Sequence, residues 1–175
     1  MSISFQKITL TLASTAIVLS LATKPEAAEI TSKVTNLQVL GSTQGNQEET
    51  AQLIAEVNLA EMSADKDVLS VTWSIKNTGD TNVVLTWLHQ GSYTYTGSFL
   101  SGVTASSPET KTKYHPLMDG VGECVCSGNI SSDFTRNLSP EEKLTYWSLY
   151  PTQKEVETVT IEIPGFDPIE DIPIS

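Results

Sequence analysis

"VLSVTWSIKN", residues 68–77, decides how the rest of the chain is read. Leu69, Val71, Trp73 and Ile75 share one parity, and Ser70, Thr72, Ser74 and Lys76 share the other. Successive side chains of a β-strand point to opposite faces. The segment therefore reads as a strand with one face in a core and one in water. "TGD" at 78–80 breaks the run, and "NVVLTWLH" (82–89) starts another. The two are expected to form a hairpin.

The same period recurs on both sides. In "AQLIAEVNLA" (51–60), Leu53, Ala55, Val57 and Leu59 alternate with Gln52, Glu56 and Asn58. In "VETVTIEIPG" (156–165), Val159, Ile161 and Ile163 oppose Thr158, Thr160 and Glu162, and Pro164 ends the run. "KLTYWSLYP" (143–151) is apolar at both parities and reads as a central strand. Weaker strand candidates are 34–40, 92–100, 112–118 and 124–130. Trp73, Trp87 and Trp147 all sit in strong strand segments and are expected in the core. Residues 41–50, "GSTQGNQEET", read as a polar loop, and "SPEEK" (139–143) as a helical turn or a simple turn. The tail 165–175, spaced by prolines, reads as extended along the domain without full pairing. About seven or eight short strands separated by turn signals make the fold class all-β, an antiparallel β-sandwich.

The first residues read as a targeting segment. Lys7 precedes an uncharged, largely apolar run, 8–22, and small residues follow it. At ~1.5 Å per residue that run is too short for a ~30 Å hydrocarbon core, so it reads as a cleaved signal peptide. Cleavage fits after Ala22 or after Ala28. The organisation expected is residues 1–28 as signal peptide and 29–175 as one domain. No later segment is long and apolar enough to span a bilayer. Export places the protein in the periplasm or outside the cell.

The charge is strongly acidic, 10 basic against 21 acidic residues, net −11. Removing 1–28 takes away Lys7, Lys24 and Glu26, leaving 8 against 20, net −12. Such a surface repels phosphates, so nucleic acid is excluded as a partner and anionic lipid surfaces are disfavoured.

By residue 126 a recognisable layout has accumulated. "VTWSIKNTGD" (71–80), "YHPLMDGVGECVCSG" (114–128), "LSPEEKLTYWSLYP" (138–151) and "VETVTIEIPGFDPIEDIPI" (156–174) occur in that order. The order resembles a group of exported bacterial immunoglobulin-like domains of poorly defined function. Some members stand alone and some precede a domain of the outer-membrane-protein-A type. The resemblance implies an immunoglobulin-like sandwich and brings no catalytic residues with it. Its usual Gly after Pro in the L-x-P-G turn is replaced here by Glu141.

The chain's two cysteines, Cys124 and Cys126, are separated by one residue. In an oxidising compartment cysteines usually pair. Residues i and i+2 of a straight strand lie ~6.5–7 Å apart, at the outer limit for a disulfide, so a bend is required. Gly122 and Gly128 flank the segment and permit one. A disulfide is the first reading, with free thiols and a redox pair as alternatives. A soft-metal site is another: His115, Met118, Cys124 and Cys126 fall within twelve residues, and these are ligand types that Cu(I) prefers. His89 reads as a polar strand-end residue, and no G-x-S-x-G elbow occurs. The acids at 47–49 and 167–171 form no calcium loop pattern. Tyr93 and Tyr95 share a face and read as an ordinary sheet face or a binding edge. The sequons at 129–131 and 137–139 matter only in a eukaryotic secretory route.

The function expected is a non-enzymatic exported binding or structural module of the cell envelope, with no cofactor. Its partner would be a protein or another envelope component. The alternative is a periplasmic copper-binding or thiol-redox protein using His115, Met118, Cys124 and Cys126.

Overall fold

Strand β3 (Val68–Asn77) sits where the alternation of its sequence puts it, with Leu69, Val71, Trp73 and Ile75 all fully buried. The computed structural model describes residues 37–89, 95–97, 100–128, 135–153 and 155–175. The segment read as a signal peptide, Tyr93, the sequon at 129–131 and most of the 92–100 candidate lie outside them. The described residues contain ten strands, one 3-10 turn and no α-helix. No helix among them is long and apolar enough to cross a membrane.

The strands form two four-stranded antiparallel sheets and a small ladder. The first sheet has the order β1 (Gly41–Gln44), β2 (Leu53–Met62), β3, β8 (Lys143–Pro151). The second has the order β10 (Ile169–Pro173), β9 (Thr158–Glu162), β5 (Thr104–Ser107), β6 (Thr112–Tyr114). Strands β4 (Val83–Val84) and β7 (Asn137–Leu138) pair with each other. Both sheets contribute to one core: Leu53, Val57, Trp73 and Tyr150 from the first meet Ala105, Val159, Ile161 and Ile172 from the second. Trp73 stacks tilted on Tyr146, ring centroids 4.9 Å apart, a geometry favoured by the aromatic quadrupole. Each large apolar side chain so buried contributes roughly 1.5–3 kcal/mol against conformational entropy.

Several expectations are corrected. β3 does not form a hairpin with 82–89. Its neighbours are β2 and β8, and residues 87–89 make a 3-10 turn. Asn77 explains the break. Its Nδ2 donates to the Thr81 and Leu138 carbonyls and its Oδ1 accepts from the Gly79 amide. The turn is thereby tied to β7 rather than folded back on β3.

In β2 the alternation fails at Asn58. Val57 pairs with Trp73 but Leu59 with Thr72, so one extra residue is inserted. This bulge shifts the parity. Ala60 becomes buried and Leu59, expected inside, is only half-buried. Asn58 itself is buried, accepts from the Ser74 hydroxyl, and leaves its Nδ2 without a partner.

The supposed loop at 41–50 contains β1, which pairs with β2 from Gly41↔Val57 to Gln44↔Ile54. The tail is paired too, since β10 is hydrogen-bonded to β9. The two join at one edge. A Cβ at Gly41 would lie 2.6 Å from the Ile169 side chain, so only glycine lets β10 pack over β1. Gly165, at φ 85, turns the chain between β9 and β10, and its carbonyl accepts from the Asn46 amide and the Thr50 hydroxyl.

Candidate functional site

The cysteine segment lies along the edge of β8 that β3 leaves free. Ser127 N–H donates to the Trp147 carbonyl (2.9 Å), Leu149 N–H to the Val125 carbonyl (3.1 Å), and Leu117 N–H to the Leu149 carbonyl (2.7 Å). Cys126 bridges to Ser148. β8 is therefore flanked on both sides, although one flank is irregular.

Cys124 and Cys126 turn inward, almost fully buried, and are joined by a disulfide with Cα atoms 5.3 Å apart. A tight hairpin precedes them. Met118 pairs with Cys124, and Asp119 Oδ1 accepts from the amides of Val121 and Glu123. Gly122 at φ 89 completes the bend. Tyr95 packs over the disulfide and donates its hydroxyl to the Pro116 carbonyl. Burial raises its phenol above the ordinary value.

The four residues of the soft-metal reading are not gathered. The thiols are bonded to each other, and it is the thiolate that ligates metal. Met118 is exposed on the hairpin. His115 is exposed and lines a separate cleft of about 350 Å³ with Ser101, Thr104, Lys113, Glu162 and Phe166. There Lys113 and Glu162 form an ion pair at 2.7 Å. Among the described residues no group of three or more His, Cys, Asp or Glu could hold a metal ion. His89 is exposed at the end of the 3-10 turn.

The more informative surface is the outward face of β3 and β8. In β8, Leu144, Tyr146, Ser148 and Tyr150 turn toward the core, while Lys143, Thr145, Trp147 and Leu149 turn away. Trp147 is 43% exposed, which corrects its placement in the core. Trp87 is half-buried, its Nε1 donating to the Pro164 carbonyl, and Trp73 alone is fully enclosed.

Trp147 lies opposite Thr72, with Thr145 opposite Ser74 and Leu149 opposite Ser70. Its N–H and C=O are both directed at Ser127, the amide donating to Ser127 Oγ at 2.9 Å. Its pairing with Thr72 is thus of the non-hydrogen-bonded kind, in which opposing side chains approach most closely. Charged groups on this face are matched at one end: Lys143 with Glu56, and Lys76 with Glu141 at 3.6 Å.

Parity was the signal that identifies Trp147. Counting back by two gives Thr145 and Lys143, both water-facing types. Size and hydrophobicity point to the core, and the strand's period points the other way.

No protein-family model and no curated protein matches the sequence. Among solved structures, a functionally unknown protein from Listeria monocytogenes EGD-e is similar, with a TM-score of 0.40 and 13% identity over 78% of this chain and 85% of that one.

Proposed function

We propose that the chain is an exported, non-enzymatic module of immunoglobulin-like type that binds a cell-envelope component through the outward face of β3 and β8. The observation that carries this reading is Trp147, a large aromatic 43% exposed on a sheet face. Tryptophan is enriched at contact surfaces relative to the rest of a protein's exterior, and this is the one aromatic among the exposed large hydrophobic side chains of the described residues. Two features support the export part: residues 1–28 have the pattern of a signal peptide, and the cysteines are paired as in an oxidising compartment. Separately, net −11 disfavours phosphate polymers as partners.

The test is co-sedimentation of the mature protein with envelopes of the cells that make it. Wild type is expected in the pellet and Trp147→Ala in the supernatant, with both melting at similar temperatures. Wild type remaining in the supernatant, or equal sedimentation of both, refutes the reading.

A further inference from the structure

We propose that the surface around Trp147 takes a neutral polysaccharide, the indole stacking on a sugar ring and the neighbouring hydroxyls exchanging hydrogen bonds with the sugar. This rests on the reading of the face as a binding surface and gives its ligand a chemical class.

The side chains around the indole make the case. Thr72 faces it across the sheet, Thr145 precedes it by two on the same face, and Ser70 lies diagonally, opposite Leu149. The hydroxyls of Thr72, Thr145 and Ser70 make no hydrogen bond to a described residue. A hydroxyl both donates and accepts and rotates to suit. That versatility matches sugar hydroxyls, which present both functions in every direction. An apolar partner surface would fit less well, because pressing it on these hydroxyls would strand them without partners.

Charge narrows the class further. Glu56, Lys76 and Lys143 on this face are already paired, so no free cation waits for an acidic sugar. With net −11, the chain as a whole repels polyanions. Shape agrees as well. β3 and β8 stay in register over nine residue pairs without a bulge, from Val68↔Pro151 to Lys76↔Lys143. At ~3.3 Å per residue this is a platform of roughly 30 Å, long enough for several sugar units. The C–H faces of a pyranose are apolar and its rim is polar, the same division this surface shows between indole and hydroxyls.

The experiment uses envelopes from the cells that make the protein, in three portions: untreated, digested with protease, and oxidised with periodate, which cleaves vicinal diols. Mature wild type is expected to sediment with untreated and protease-digested envelopes alike. Its retention should fall about tenfold on oxidised envelopes. Thr72→Val with Thr145→Val should also weaken retention while leaving the melting temperature unchanged, and Trp147→Phe should retain more than Trp147→Ala. Retention lost to protease, or retention that survives periodate, overturns the polysaccharide while leaving the binding face intact. No retention on untreated envelopes removes the binding reading itself.

Discussion

The hydroxyl of Tyr150, on the inner side of β8, donates at 3.1 Å to the carbonyl of Val103, the residue before β5. Tyr150 is fully buried, so this bond joins the two sheets through the core. Tyr150→Phe keeps the ring and leaves the Val103 carbonyl without this donor. Removing one partner of a buried hydrogen bond costs about 1–3 kcal/mol. Urea denaturation should show that loss as a lower midpoint with an unchanged slope. An unshifted midpoint would mean that water replaces the hydroxyl at no cost.

Stability should fall in alkali for a related reason. Burial pushes the phenols of Tyr150 and Tyr146 up, and the Glu142 carboxylate adds to the effect at Tyr146. The folded state thus holds these protons more tightly than the unfolded chain, whose tyrosines titrate near pH ~10. Their contribution is complete below about pH 10 and is lost as the pH rises beyond it. The melting temperature should decline above about pH 10, and less steeply for the double variant Tyr146→Phe/Tyr150→Phe. Equal declines in the two proteins would assign the effect to other groups.

What could be read in advance follows from what is local. β3 was legible because nothing interrupts its alternation and its core face is entirely apolar. β2 was legible as far as Val57. The bulge at Asn58 depends on the partner strand and has no signature in "AEVNLA". β1, "GSTQ", carries no hydrophobic pattern; it is a strand because β2 offers it an edge and β10 packs over Gly41. The predicted β3–β4 hairpin failed because β8, some seventy residues on, takes the place beside β3. Trp147 was legible by parity and misread by size.

Asn58 and Ser74 offer a test of the bulge. The Ser74 hydroxyl donates to Asn58 Oδ1, while Asn58 Nδ2 has no partner. Ser74→Ala would leave both ends of a buried amide unbonded and should cost about 1–3 kcal/mol. Asn58→Ala should cost less in the Ser74→Ala background than alone, with a coupling of about 0.5–3 kcal/mol. Strictly additive losses in a double-mutant cycle would show that the two side chains act independently.

Glu141 sits at φ 60, a conformation in which a residue with a Cβ is strained by roughly 1–2 kcal/mol. Pro140 precedes it, and Glu142 N–H closes the turn on the Ser139 carbonyl at 3.1 Å. Proline second and a positive φ third is the type II pattern, which favours glycine at the third position. Glu141→Gly should therefore raise stability by about 0.5–1 kcal/mol, after allowing for glycine's greater freedom when unfolded. The lost ion pair with Lys76 is largely exposed and subtracts little. A lower melting temperature for Glu141→Gly would mean that the glutamate contributes more than its backbone costs.

The disulfide should matter more to the edge of β8 than to global stability. Its ring spans only Cys124 to Cys126, so loop closure accounts for no more than about 1.5–2 kcal/mol. The segment it stiffens is the one whose Ser127 and Val125 hold the backbone of Trp147 and Leu149. Reduction with a phosphine should lower the melting temperature modestly. It should also speed hydrogen exchange at the amides of Ser127 and Leu149, while the amides that pair β2 with β3 stay protected. Retention on envelopes should weaken in parallel, since Trp147 would lose the support that fixes its orientation. Unchanged exchange at Ser127 and Leu149 after complete reduction would separate the disulfide from the binding face and leave it a purely local staple.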